Sequence, residues 1–313
     1  MRRKCGNAED LKATAKKRIE YAPRPLPERR PRALTVSSIG AGSEKTSSRW
    51  SWNPFRNEAP QRTFDQLQSP LIAKLPKELR LLIWKEVVGG HWLHIVRARK
   101  RLLAIKCTEN PERGTNTHLH DCWGTLRMAV YRTPGFYSSP NSRSSAAAAN
   151  ILSLLKTCRI VYSETVDLLY EDNVFDFNHL DTILYLSRTT LRNRLDRIRT
   201  VHLHWYFEHF IVPPAATWLP PPPYDYGTWK EACNILASLA GLQELFVHLD
   251  GEALLPQAEV CEAVLEPLCH IKPVKRFDVF VPWDNPAAYV NVDVKPFRLL
   301  TGGFFALATI RLT

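Results

Sequence analysis

Two cysteines and two histidines lie in one polar stretch, and these residue types can bind zinc. They form a C-x10-H-x-H-x-C pattern made of Cys107, His118, His120 and Cys122. Structural zinc takes four nitrogen or sulfur ligands, so the chemistry fits. The pattern lacks the closely spaced C-x2-C pair of most zinc modules. We therefore predict no metal and no cofactor, and keep a non-catalytic, zinc-stapled loop as an alternative.

Histidines and aromatic residues are also expected together on one face of a β-sheet. Three segments share the pattern φ-x-x-φ-x-φ, where φ is apolar, at residues 198–203, 242–247 and 274–279. Helical patterns at 226–240 and 257–270 separate them, which is typical of repeated β-α units. If the strands align, His204 lies beside His248 and Phe280, and His202 lies beside Phe246 and Asp278.

An open face of this kind would serve as a recognition surface for a client protein. The client-binding candidates are His202, His204, Phe246 and His248. The alternative is that a neighbouring loop, such as the proline-rich stretch at 213–223, covers the face.

No pattern in the chain indicates catalysis. The sequence contains no G-x-S-x-G, G-x-x-x-x-G-K-[ST], H-E-x-x-H or G-x-G-x-x-G motif. Adjacent carboxylates such as Glu171-Asp172 fit a turn and have no nucleophile to serve. We therefore predict that the protein is not an enzyme.

The positive charge of the chain is concentrated at one end. Residues 1–70 hold 15 of the 42 Lys and Arg and 7 of the 31 Asp and Glu, a net charge of +8. The remaining 27 basic and 24 acidic residues leave +3 for the rest. We expect a basic, Pro- and Ser-rich disordered tail at 1–68 and no nucleic-acid binding by the folded body.

A basic cluster surrounds the end of a predicted helix. It consists of Arg188, Arg192, Arg194, Arg197 and Arg199. Cations are favourable near a helix C-terminus, so a structural role suffices. The alternative function is a nuclear or nucleic-acid-associated protein that uses this cluster and the basic tail.

Cysteine usage and hydropathy bear on location. The seven cysteines are scattered, the N-terminus lacks an apolar signal segment, and no apolar run is long enough to span a bilayer. We predict reduced thiols, an intracellular location in cytoplasm or nucleus, and no membrane partner.

Periodicity predicts the elements that position these residues. A helix over Leu75–Val88 has Pro in its first turn, Gly89-Gly90 after its end, and an apolar stripe of Leu79, Leu82, Ile83 and Val87. Further predicted elements are strands at 91–96, 101–106 and 174–177 and helices at 150–170 and 180–195. Within the helix at 150–170, Cys158 is expected on the apolar face.

Four motifs in order carry a family resemblance. They are L-P-x-E-L-R-x-x-I-W at 75–84, L-L-x-T-C-R-x-x-Y-S-E at 154–164, L-L-Y-x-x-N-x-F-x-F at 168–177, and Ile198-Arg199. The chain resembles a fungal family of uncharacterised proteins whose domain opens with an F-box-like helix. The resemblance implies a protein–protein interaction domain of unknown function, and more specifically a substrate receptor of a ubiquitin ligase. The implied adaptor-binding candidates are Leu75, Pro76, Leu79, Ile83 and Trp84.

The F-box resemblance depends on one structural condition. The two helices that carry it are separated by a predicted hairpin and loop. If they pack together, the helical module survives with an insertion at 89–149; if the insertion covers the apolar stripe, adaptor binding is lost.

The predicted fold class is α+β (or α/β). We expect a single domain at 69–313, with an F-box-like part at 69–195 and a part of irregular, leucine-rich-repeat-like β-α units at 196–313.

Overall fold

The computed structural model describes residues 66–107 except 99, 151–207, and 222–301 except 252, 253, 255 and 273. Short pieces of the N-terminal region, 16, 18–20 and 22–27, are also described. The helices are α1 (Pro70–Ala73), α2 (Lys77–Val88), α3 (Arg159–Glu171), α4 (Leu180–Thr189), α5 (Arg192–Leu195), α6 (Tyr226–Ser238) and α7 (Ala258–Cys269). The strands are β1 (Trp92–Ala98), β2 (Arg101–Lys106), β3 (Val174–Phe177), β4 (Thr200–Tyr206), β5 (Glu244–Asp250), β6 (Arg276–Val281) and β7 (Arg298–Thr301).

The seven strands form one sheet in the order β2-β1-β3-β4-β5-β6-β7. The β1–β2 pair is the predicted antiparallel hairpin, and all other neighbouring pairs are parallel. Parallel neighbours need a crossover, which α6 provides between β4 and β5 and α7 provides between β5 and β6. The mixed helices and strands confirm the predicted α+β or α/β class.

Alternation along the strands separates an apolar face from a polar one. Val201, Leu203 and Trp205 of β4 belong to the main core, as do Val247 of β5 and Val279 of β6. The same core contains the apolar sides of α4, α6 and α7, and α6 packs against both of the other helices. The strand residues between these positions point to the opposite face, because successive side chains of a strand alternate.

The helix predicted at 150–170 is interrupted. Residues 151–155 are helical, a turn follows at Lys156–Thr157, and α3 begins after Cys158. Cys158 is extended, and its Sγ accepts a hydrogen bond from the Val161 N–H at 3.5 Å. The expectation that Cys158 lies on an apolar helix face is therefore wrong, because this half-buried thiol caps the helix instead.

The helix predicted at 180–195 is divided as well. It ends at Thr189, whose hydroxyl donates to the Tyr185 carbonyl at 2.7 Å. Thr190 and Leu191 are extended before the short α5 begins. The apolar spacing continued across this break, which is why periodicity alone did not reveal it.

Most of the tail predicted at 1–68 lies outside the described residues. In its described part, Arg18 belongs to a helical piece and its guanidinium contacts Asp181 of α4. Among the described residues, no helix has the length and apolar character needed to cross a bilayer.

Candidate functional site

Helix α2 has well-defined ends. Pro76 occupies the N-cap position, where its missing N–H costs no helical hydrogen bond. Gly89 at the C-cap donates to the Lys85 carbonyl at 2.9 Å, and Gly90 follows with φ +71°. The helix predicted over Leu75–Val88 is observed over Lys77–Val88, so Leu75 and Pro76 lie outside it.

The buried side of α2 is built around a carboxylate on α3. Arg80 donates from Nε to Glu164 Oε2 at 3.1 Å and from Nη2 to Oε1 at 2.5 Å. The Trp84 indole N–H donates to Glu164 Oε2 at 2.9 Å. Burial opposes ionisation of Glu164, but hydrogen bonds from Arg80 and Trp84 lower its pKa below the ordinary value. The charged carboxylate therefore holds α2 against α3.

Arg80 also connects α2 to the chain before it. Its Nη1 donates to the Leu75 carbonyl at 2.6 Å and lies 3.4 Å from the Ile72 carbonyl. Together with the two bonds to Glu164, these contacts satisfy most of the N–H donors of the buried guanidinium. The turn between α1 and α2 is thus part of the same hydrogen-bonded unit.

The apolar stripe of α2 points away from this buried side. Exposure of these side chains is 49% for Leu79, 63% for Leu82, 40% for Ile83 and 46% for Val87. An amphipathic helix normally turns such a stripe toward the core. Here α2 buries a charged residue, Arg80, and leaves four large apolar residues in solvent.

The adaptor-binding candidates fall on both sides of α2. Leu79, Ile83 and Pro76 are exposed, and Leu75 is half-buried. Trp84 is 4% exposed and bonded to Glu164, so it is unavailable to a partner. Leu82 and Val87 extend the exposed stripe although the candidate set lacked them; their helical spacing was the signal.

The sheet face opposite the main core, which carries His202 and His204 of β4, has the predicted register. His202 is paired with Phe246, Phe246 with Asp278, His204 with His248, and His248 with Phe280. The rings stack across strands, with centroids 4.3 Å apart for His202 and Phe246 and 4.2 Å apart for His248 and Phe280. The predicted neighbours are therefore correct.

The expectation that this face is open to a client is wrong. His202 and Phe246 are fully buried, and His204 and His248 are 6% and 7% exposed. Burial lowers the pKa of His204 to about 3 and that of His248 to about 4. The imidazoles of His204 and His248 are therefore neutral at physiological pH, and this face lies in the interior rather than on a recognition surface.

A buried His–Asp pair on the same face was missed from the sequence. His94 Nδ1 lies 2.8 Å from Asp176 Oδ2, and both side chains are fully buried. They are register partners on β1 and β3, and Asp176 is in turn the partner of His202. The predicted strands contained both residues, but nothing local showed that β1 and β3 are neighbours.

The arginine cluster is matched by carboxylates. Arg188 pairs with Glu231 at 2.8 Å, Arg192 with Asp196 at 2.8 Å, and Arg194 with Asp167. Arg197 and Arg199 pair with Glu171 at 2.5 and 2.8 Å. This is a network that ties neighbouring elements together, rather than an uncompensated cationic patch for phosphates.

The zinc candidates are not brought together in the described residues. Cys107 is buried, packs with Trp92 and Val174, and donates its N–H to the Trp92 carbonyl at 2.8 Å. His118, His120 and Cys122 lie outside the described residues. Within the part of the chain that the structure describes, no three His, Cys, Asp or Glu side chains form a metal-binding group.

Comparison with known proteins gives one match. A family model for a domain of unknown function, DUF7730, covers residues 64–300, which include every labelled element from α1 to β6 and most of β7. No curated protein and no solved structure matches the chain. The matched region covers about three quarters of the sequence, so the chain belongs to the family of proteins with the DUF7730 domain of unknown function.

Proposed function

We propose that this chain is a protein–protein interaction protein in which α2 binds a ubiquitin-ligase adaptor, as the F-box-like helix of a substrate receptor does. The observation that carries the proposal is the exposed stripe of Leu79, Leu82, Ile83 and Val87. Large apolar groups grouped on one exposed surface are typical of an interaction site. Of the eight large apolar side chains exposed in the described residues, four belong to this helix.

The packing of α2 supports a preformed docking surface. Arg80 and Trp84 hold the opposite side of the helix on Glu164, so the stripe is presented on a fixed scaffold. A preorganised helix pays less entropy on binding than a helix that must first order. The helix pair carries the two motifs of the F-box-like resemblance, and the described hairpin β1–β2 leaves the stripe exposed.

The stripe also indicates what the partner surface contains. Its four apolar side chains at helical spacing fit a groove lined by apolar residues. Glu86 is exposed on the same side, at i+3 from Ile83 and i+4 from Leu82. A partner must leave this carboxylate in solvent or supply a donor for it, since an unpaired buried charge is costly.

The test is the affinity of the purified chain for the purified adaptor subunit. We expect the Leu79→Ala/Ile83→Ala variant to bind at least about 30-fold more weakly, since two interface anchors cost at least about 2 kcal/mol. The matched control is Leu152→Ala/Val294→Ala, which removes two apolar side chains that are 45% and 70% exposed elsewhere. Circular dichroism establishes that each variant is folded.

Two results would overturn the proposal. One is absence of adaptor binding by the wild-type chain at micromolar concentration. The other is equal affinity of the wild-type chain and the folded Leu79→Ala/Ile83→Ala variant, which would place any contact outside the stripe.

Other expectations drawn from the sequence remain predictions. They include a leucine-rich-repeat-like character for the β-α units and a nuclear or nucleic-acid role for the basic tail. The pairing of the arginine cluster removes the main support for a phosphate-binding surface on the body.

A further inference from the structure

The buried carboxylate of Asp181, at the start of α4, forms with Arg97 and Tyr185 a contact site that we call the recess. Asp181 has a fully buried side chain, and Arg97 of β1 donates from Nη1 to its Oδ2 at 2.5 Å. Arg97 Nη2 also lies 3.2 Å from His179 Nε2. Burial lowers the pKa of His179 to about 3, so this imidazole is neutral beside the arginine.

The recess is occupied by an arginine from the N-terminal region of the same chain. Arg18 donates from Nη2 to Asp181 Oδ1 at 2.6 Å, and its Nε lies 3.0 Å from both carboxylate oxygens. The Tyr185 hydroxyl donates to the Arg18 backbone carbonyl at 3.3 Å. The site therefore contacts both the guanidinium and the peptide backbone of its occupant.

The segment that carries Arg18 follows α4 to its far end. The Leu26 N–H donates to the Arg188 carbonyl at 2.9 Å, in the last turn of α4. Between these two points much of the segment is exposed; Ile19, for example, is 78% exposed. Few described groups of the segment are buried, which is typical of a peptide docked on a surface.

The charges of the recess make its occupant exchangeable. Asp181 is already paired with Arg97, so departure of Arg18 leaves no unpaired carboxylate in the interior. Removing one partner of a buried pair is costly mainly because it leaves an uncompensated charge. That penalty is absent here, and Arg97 repels a second guanidinium. Arg18 should therefore bind reversibly.

We propose that Asp181, Tyr185 and Arg97 form a recognition site for an arginine-bearing peptide, which Arg18 occupies in cis. Arg18 lies outside the family match at 64–300, whereas the recess lies inside it. Residues 28–65 connect the occupant to the matched region along the same chain. A partner that presents an arginine on a peptide segment competes with residues 16–27 for the same recess.

The geometry selects arginine over lysine. Nε and Nη2 of Arg18 both reach the Asp181 carboxylate, a fork that a single ammonium cannot reproduce. A peptide with lysine in this place should therefore bind much more weakly, although its charge is unchanged.

The experiment measures binding of a fluorescent peptide, with the sequence of residues 16–27, to the full chain. The wild-type chain is compared with its Arg18→Ala variant, in which the recess is empty. A competitor in the same chain has an effective concentration of about millimolar, so the variant should bind the peptide at least about tenfold more tightly. The same peptide with Arg18→Lys should bind the variant at least about tenfold more weakly than the unsubstituted peptide.

Either of two results would overturn the inference. Equal peptide affinity of the wild-type and Arg18→Ala chains would mean that Arg18 does not occupy the binding site. Equal affinity of the arginine and lysine peptides would mean that the contact is general charge attraction. The peptide comparison can also be made on the wild-type chain, so it does not depend on the folding of any variant.

Discussion

The Arg80 guanidinium and the Glu164 carboxylate, 84 positions apart in the chain, form a buried pair that joins α2 to α3 through two hydrogen bonds. Trp84 adds a third hydrogen bond to the same carboxylate. The pair determines which side of α2 faces the protein, and so which side remains exposed. The apolar stripe is available because a charged residue holds the opposite side in place.

Removing the carboxylate of this pair should strongly destabilise the protein. Glu164→Ala leaves Arg80 buried without its counter-charge, and we expect the free energy of unfolding to fall by about 3 kcal/mol. Urea unfolding monitored by circular dichroism measures the change.

A double-mutant cycle separates the pair from its surroundings. Arg80→Met/Glu164→Met should cost less than the sum of the two single substitutions, because neither charge is then left alone. Strict additivity would show that the two side chains are not coupled.

The exposed stripe should matter for binding and little for stability. Leu82 is 63% exposed, so Leu82→Ala should lower the free energy of unfolding by less than about 1 kcal/mol. If the stripe binds the adaptor, the same substitution should weaken that binding at least about fivefold, or about 1 kcal/mol. The control variant is Val88→Ala, at a fully buried position of the same helix. We expect it to lower the free energy of unfolding by about 2 kcal/mol. A large stability loss for Leu82→Ala would contradict the observed orientation of α2.

Stability should fall as the pH is lowered from neutrality. Burial lowers the pKa of His179 and His204 to about 3 and that of His248 to about 4, from an ordinary value of 6.5. Between about pH 6 and pH 4.5 the unfolded chain therefore binds up to three protons that the folded protein excludes. Above about pH 6.5 these three histidines are neutral in both states and do not lower the stability. Below that pH they lower the free energy of unfolding by up to about 4 kcal/mol per pH unit.

Urea unfolding midpoints at pH 7, 6 and 5 measure this dependence. A His248→Gln variant should reduce the slope by about one third, since one of the three groups no longer titrates. Stability that is constant from pH 7 to pH 5 would contradict the burial of these imidazoles.

Two glycines should differ sharply in their tolerance of a side chain. Gly251 has φ +138°, and a Cβ there would lie 2.2 Å from the Phe207 carbonyl oxygen and 2.6 Å from its nitrogen. Gly90 also has a positive φ, +71°, but a Cβ there would meet no atom within 4 Å. We expect Gly251→Ala to destabilise the protein by about 3 kcal/mol and Gly90→Ala by about 1 kcal/mol. Equal effects in thermal unfolding would show that the Phe207 backbone, just after β4, does not approach Gly251 this closely.

Local periodicity was enough to predict several elements and one long-range relationship. The bounds of α2 follow from Pro76, Gly89 and the apolar spacing between them. The pairing of His202 with Phe246 and of His204 with His248 follows because repeated strand–helix units place equivalent positions side by side. These features depend on interactions within one short segment or on a pattern that recurs.

Contacts between distant, unrelated segments could not be predicted in this way. The sequence alone determined that α2 is a helix with an apolar stripe, that β1 and β2 form a hairpin, and which positions of β4, β5 and β6 become neighbours once the strands align. Only the tertiary structure decided that the stripe of α2 faces solvent, that His202 is buried, and that Arg18 reaches Asp181. The reason is physical: which side of an element is buried depends on the partner that covers it, and Glu164 and Asp181 lie 84 and 163 positions from the arginines that they bind.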